Sequence, residues 1–383
     1  MAVTWSDPDI EHGARHQEEH PGRRAGGRPP DARRRSHGQQ RARALSARLR
    51  VTAVLAVAAV AGMLLAGCGS SDEAEPSTAP SSSTSATPSA GPTAGPTEAA
   101  PVLPVTVPSA GGGDVTVTDV SRIIPLNGEI AEIVFALGLG DQVVATDVSA
   151  TYPAEAAAKP KIGYQRALAA EGILALRPTV LVGTPEAGPP PVIEQLRSAG
   201  VPTVIVERGA ESLDGVGAKI RAVGAALGVP GRGAALAATT QTELDEVVER
   251  ASGATSSPKV AFLYVRGQQN VAMIGGAGSG ADLLIEAAHG VDAGSAAGLG
   301  EFTPLTAEAL VAADPDHLLL LLSDGLESVG GIDGLLRLPG VAQTTAGENR
   351  AVIDLDDLEL LGLGPRTPAA LDELVDALHP GLR

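Results

Sequence analysis

Three tyrosines occur in the 383 residues, and two of them are followed two positions later by arginine: Tyr164 by Arg166 and Tyr264 by Arg266. On an extended backbone, residues two apart point the same way. Each guanidinium could then lie beside its phenol. A phenol ordinarily ionises near pH 10, and a neighbouring positive charge favours its anionic form. Such a pair offers a hard anionic oxygen, or a cation for an acidic group of a ligand. On spacing alone Tyr264 reads equally well as an amphipathic residue at a core edge. Tyr152, directly before Pro153, reads as a loop or rim residue. The single cysteine, Cys68, excludes an intrachain disulfide. His289, His317 and His379 show no metal-ligand spacing, and Met273 is a thioether of poor match to a hard metal. The run Gly275–Gly280 fits neither the dinucleotide fingerprint nor the phosphate loop, because the glycine spacing is wrong and no Lys follows. It reads as a loop. No nucleophile, base and orienting acid fall into a recognisable order, so an enzyme is not expected.

Around Cys68 the chemistry is that of export. Arg41, Arg43, Arg48 and Arg50 precede an apolar run, Val51 to Ala66, too short for a spanning helix of about 20 residues. A basic flank, a short apolar run and small residues form a signal peptide. Its end, Leu65-Ala66-Gly67-Cys68, resembles the bacterial lipobox, in which the thiol takes a diacylglycerol. The sequence therefore predicts a basic extension and signal peptide over 1–67, and a lipidated Cys68 with a tether over 68–114. Residues 69–100 are rich in Ser, Thr, Pro, Ala and Gly and lack the apolar mass to fold. Roughly 30 such residues span about 30 Å. The export route stays open, since Arg23-Arg24 and Arg33-Arg34-Arg35 hint at twin-arginine export but lie far from the apolar run.

Charge narrows the partners. The whole chain carries -17, and residues 1–67 hold 11 Arg against 6 acidic residues. The remainder has 17 basic and 39 acidic groups, a net -22, which would repel nucleic acid. Arg far outnumbers Lys and Ala is abundant, as in proteins from GC-rich genomes.

From Val115 onward, short β-branched runs alternate with helical patterns. Strands are expected at 122–126, 142–146, 179–183 and 203–206, and helices at 129–139 and 191–199. This alternation argues for parallel sheets covered by helices. Leu168-Ala169-Ala170-Glu171, Pro178 and a strand recur as Leu305-Thr306-Ala307-Glu308, Pro315 and a strand, always 137 residues on. The chain is thus expected to hold two similar α/β lobes, 115–230 and 253–383. Leu236, Thr240, Leu244, Val247, Val248 and Ala251 recur at helical spacing. They predict one linking helix over 231–252, about 33 Å long.

These features together resemble the class III periplasmic-binding-protein fold of ABC-importer substrate-binding lipoproteins, with two Rossmann-like lobes joined by a single long helix. The stretch Gly163-Tyr164-Gln165-Arg166-Ala167-Leu168-Ala169-Ala170-Glu171, continuing to Pro178, is similar to that of the hemin-binding members. Asn127-Gly128-Glu129-Ile130-Ala131-Glu132 and Tyr264-Val265-Arg266-Gly267 add local support, and the likeness extends over nearly all of 117–383. It implies heme as transported ligand in a cleft between the lobes, with Tyr164 and Tyr264 at the iron-ligand positions and Arg166 and Arg266 beside them. Phenolate oxygen is a known axial donor to heme iron. Whether one or both tyrosines bind iron stays open. The resemblance also implies that Glu171 and Glu308 dock on a permease and that the protein is a monomer at the outer face of a Gram-positive cell membrane. A ferric siderophore or a cobalamin is the alternative cargo.

Overall fold

The computed structural model describes residues 100–267, 271–321 and 325–382. Cys68 and the signal peptide lie outside the described residues.

The fold opens earlier than the expected start near Val115. Strands β1 (Val105–Ser109) and β2 (Gly113–Val117) form an antiparallel hairpin that begins in the stretch read as tether and ends in the expected lobe. Alternating Val105, Val107, Val115 and Val117 give the hairpin one apolar face, which packs on the main core. Ser109 Oγ then accepts from Ile205 N at 2.9 Å and Ile205 O accepts from Ala110 N at 2.8 Å, fastening the hairpin to the first sheet.

That first sheet is parallel, in the order β3 (Ile123–Pro125), β4 (Val180–Gly183), β5 (Thr203–Ile205). Every residue of these strands is buried, as expected for a parallel sheet covered on both faces. Helices α1 (Gly128–Ala136), α2 (Ala154–Ala157), α3 (Ala170–Ala175), α4 (Pro190–Ser198) and α5 (Asp214–Ala226) complete the lobe. The strand expected at 142–146 does not form. Gly140–Gln142 is a 3-10 turn, and Val143 and Thr146 make only isolated bridges, to Ile123 and Lys161. Local bonds from Ser149 to the buried Asp147 turn the chain away just beyond.

Helix α6 (Pro230–Ser252) leads to the second lobe. Its 23 residues span about 34 Å. Pro230 starts it without losing an intrahelical bond, and Gly233, Ala237, Thr240, Leu244 and Ala251 form its buried stripe. Gly224 of α5 and Gly233 of α6 let the two helices touch; a Cβ on Gly224 would stand 2.8 Å from Gly233 Cα.

The second lobe is wound on a six-stranded sheet, β11 (Val352–Leu355), β10 (His317–Leu321), β6 (Lys259–Arg266), β7 (Val271–Gly275), β9 (Phe302–Pro304), with β8 (Val291–Asp292) beside β6. The expectation of wholly parallel sheets fails here, because β6–β7 and β7–β9 pair antiparallel. Helices α7 (Ala281–Ala287), α8 (Ala293–Ala296), α9 (Ala307–Ala313), α10 (Gly331–Leu335), α11 (Thr345–Asn349), α12 (Asp357–Gly362) and α13 (Thr367–Leu378) surround it. One cluster of buried side chains runs through both lobes, from Ile130 and Val182 through Leu244 to Phe262 and Leu371. The lobes therefore share a core instead of meeting only through a flexible joint.

Candidate functional site

The second-lobe wall is built by strand alternation. Odd residues of β6 (Ala261, Leu263, Val265) pack into that lobe's own cluster, while even ones (Val260, Phe262, Tyr264) face the shared core. Tyr264 and Arg266 thus share a side. Phe302 meets the Tyr264 ring edge-on at 5.6 Å and Phe262 at 6.2 Å. Met273 stands directly across the β6–β7 pair from Tyr264, a position from which side chains touch. The Arg266 guanidinium lies over the Tyr264 ring at 4.4 Å and pairs with Asp357 at 2.9 Å. It does not hydrogen-bond the phenol. Burial pushes the Tyr264 phenol above its ordinary pKa, against the opposing pull of Arg266.

The first-lobe wall is different. Tyr164 is 45% exposed and follows Gly163, whose φ of +102° only glycine adopts without strain. Gln165–Ala167 then forms a 3-10 turn. Arg166 therefore lies on a turn and not on a strand, so the expected parallel between the two Tyr-x-Arg pairs holds only for Tyr264. Val148, 48% exposed, donates its N–H to the carbonyl oxygen of Gly163, the residue before Tyr164. Across the two walls, Tyr164 pushes the Tyr264 pKa up and Arg166 pulls it down, both as smaller causes than burial.

Polar ties also join the lobes. Arg208 of the first lobe donates to Gly278 O at 3.3 Å and Ser279 O at 3.1 Å and pairs with Glu186 and Glu301. The glycine run 275–280 is thus tied across the lobes at Gly278 and Ser279. Lys219 on α5, 2% exposed, donates to Gly362 O at 2.7 Å. Burial pushes its ammonium down to about 8, with Glu129 opposing. Arg366 donates to Glu132 at 3.1 Å, pairs with Glu359, and covers the Tyr152 ring at 3.9 Å. Tyr152 is accordingly part of the inter-lobe contact.

The model of the family described as "Periplasmic binding protein" matches residues 123–358, well over half of the chain. The chain belongs to the periplasmic binding protein family. An uncharacterised ABC transporter substrate-binding lipoprotein of Bacillus subtilis, YvrC, is 26% identical over 325 residues, covering 84% of this chain and 95% of the relative. The periplasmic heme-binding protein RhuT from Roseiflexus, solved in apo form, is 49% identical with a TM-score of 0.66, covering 69% of this chain and all of that one. A vitamin B12-binding protein of Vibrio campbellii is 26% identical over 155 residues, 40% of this chain and 54% of the relative.

Within this binding-protein fold, Glu171 and Glu308 occupy equivalent places, each exposed as the second residue of a short helix, α3 or α9. The offset of 137 extends to residues that sequence reading passed over. Arg122, ahead of β3, donates to the last carbonyls of the α3 region, Leu176 O at 2.6 Å and Arg177 O at 2.9 Å. Lys259, starting β6, donates to Ala313 O at the end of α9 at 2.7 Å. Arg177 and Asp314, also 137 apart, both take left-handed conformations, with φ of 49° and 41°. Searching the repeat for like charge, not identity, would have found Arg122 and Lys259.

The histidines keep structural roles. His289 ends α7 with φ of 60°, and the buried His379 bonds Ala288 O at 2.9 Å. His317 is half-buried at the head of β10, where burial lowers its pKa. Among the described residues no group of three or more His, Cys, Asp or Glu is arranged to hold a metal ion.

Proposed function

We propose that this protein captures heme in the cleft between its lobes and delivers it to an ABC permease, anchored to the outer membrane face by a lipid on Cys68. The observation that carries this reading is the Tyr264 ring, covered by Arg266 and edged by Phe302 on the second lobe, with the exposed Tyr164 of the first lobe within its electrostatic reach. Ferric iron favours the phenolate, and phenolate is an established axial donor. The ring edges of Phe302 and the exposed Val148 and Tyr164 supply apolar surface for a porphyrin. The likeness to the heme-binding RhuT supports the same cargo.

Binding follows from these groups. The Tyr264 phenol is protonated at neutral pH, because burial holds its pKa up. Ferric iron displaces that proton, as metal binding does for protonated ligands generally. Arg266 remains over the ring and stabilises the anion, while Arg166, exposed on the opposite wall, is free to meet a propionate. Glu171 and Glu308, presented outward on equivalent helices, receive the permease, and no covalent chemistry is required of the protein. Cobalamin is the competing cargo, on the strength of the vitamin B12-binding relative.

The test is a titration of the full chain with hemin and with cyanocobalamin, followed by visible absorption, alongside Tyr164→Phe and Tyr264→Phe. Saturable hemin binding with a phenolate charge-transfer band, weakened in each variant, is expected. Saturable cobalamin binding without a hemin response would move the cargo to the corrinoid.

A further inference from the structure

Asn127 is fully buried, and both ends of its side-chain amide are engaged. Its Oδ1 accepts from Thr184 N at 2.8 Å, at the end of β4. Its Nδ2 donates to the side-chain oxygen of Gln165. Gln165 directly follows Tyr164. The same residue is held by its backbone, since Gln165 O accepts from Gly188 N at 2.8 Å, and Gly188 O accepts from Leu168 N at 2.9 Å. Behind Asn127 there is no slack. A Cβ on Gly183 would approach Asn127 Oδ1 and Leu126 Cβ to 3.0 Å each.

The turn carrying Tyr164 therefore has a rigid side and a free side. Its rigid side is Gln165, tied to the amide of a residue that begins α1 and touches the end of β4. Its free side is the Tyr164 ring, which no described aromatic ring stacks against. An exposed ring on a loop would normally sample several rotamers, and binding would have to freeze them at an entropic cost. Fixing the backbone on which the ring stands reduces the freedom left to lose.

We infer that Asn127 and Gln165 are positioning residues that hold Tyr164 toward the opposite wall, setting the geometry of iron ligation from the first lobe. This rests on the proposed binding of heme iron by Tyr164. Asn127 has no role in the iron chemistry, yet it is the buried polar group that defines where the Tyr164 turn sits. An unpartnered buried amide would be costly, so loss of the Gln165 acceptor should let the turn move to satisfy Asn127 elsewhere.

The experiment uses the full chain in a background carrying Tyr152→Phe and Tyr264→Phe, where Tyr164 is the one tyrosine left and a phenolate-to-iron band can come only from it. Into it go Gln165→Leu, which removes the acceptor, and Gln165→Glu, which keeps an oxygen within reach of Asn127. Gln165 is half-buried on a turn, so both variants should fold, and their melting temperatures are measured alongside. The expected result is that Gln165→Leu shifts or weakens the phenolate band and lowers hemin affinity about tenfold, the usual scale for a lost outer-sphere partner of a metal ligand. Gln165→Glu should restore both at an unchanged melting temperature. A band and affinity identical in Gln165→Leu and its parent would overturn the positioning role while leaving heme ligation intact. Absence of the band already in the parent with Tyr164 as its sole tyrosine would remove Tyr164 as a ligand, and the inference with it.

Discussion

Replacing Lys219 and Glu129 together by Met and Gln should make stability less dependent on alkaline pH. Lys219 is buried between the lobes with its ammonium on Gly362 O, and its pKa stands at about 8 in place of 10.5. The difference of 2.5 pH units corresponds to roughly 3 kcal/mol between the two protonation states. Below pH 8 both folded and unfolded chains hold the proton, and the folded state bears the full penalty of burying the charge. Between pH 8 and 10.5 the unfolded chain keeps the proton while the folded chain sheds it. The unfolded state then binds more protons, so stability rises with pH. Near pH 9 this contribution climbs by about 1 kcal/mol per pH unit. Glu129 is changed with it because a carboxylate left alone in that seam would add a titration of its own. At pH 7 the double variant should equal or exceed the parent in stability, as buried pairs replaced by neutral groups often do. Urea unfolding of both proteins at half-unit steps from pH 7 to 9.5 measures the difference. Parallel curves, or a parent that loses stability relative to the variant as pH rises, would mean that the buried Lys219 does not set this dependence.

Glu171→Ala with Glu308→Ala should leave hemin affinity unchanged and impair uptake in cells carrying the cognate permease; loss of hemin binding would remove their docking role. Arg122→Gln and Lys259→Gln should each loosen the end of the helix they cap, α3 or α9, by about 1 kcal/mol, read as faster amide hydrogen exchange confined to that helix; equal exchange across both helices in either variant would contradict the duplicated cap. Hemin affinity should rise with pH below the raised pKa of Tyr264, by up to about tenfold per pH unit for each phenol proton displaced; a pH-independent affinity would mean that the phenol is not the iron ligand.

Much of the architecture was legible because it rests on periodicity. The spacing of Thr240, Leu244 and Ala251 marked α6, and the 137-residue repeat marked the two lobes before any contact was known. The hairpin β1–β2 escaped because its valines sit among Pro, Gly and Ser that read as tether, and its apolar face becomes meaningful only against the core it covers. The antiparallel β6–β7 pairing escaped because nothing in a strand's own pattern states the direction of its neighbour. At the site, Tyr264 and Arg266 follow from strand alternation. Tyr164 and Arg166 share the same spacing, but Gln165 is drawn to the buried Asn127 and its backbone to Gly188, which closes a 3-10 turn. Those partners lie far away in sequence, so spacing could not distinguish the turn from a strand. Arg208, Lys219 and Arg366 were silent for a related reason: a cation on a helix or loop reads as solvated until the other lobe supplies its acceptor.

The most direct test of the account is a crystal structure of the full chain loaded with hemin. Hemin is expected between the lobes, with iron bonded to the phenolate oxygen of Tyr264 or Tyr164 or of both, and Phe302 and Val148 against the porphyrin. Hemin bound outside the cleft, or iron bonded to neither tyrosine, would contradict it.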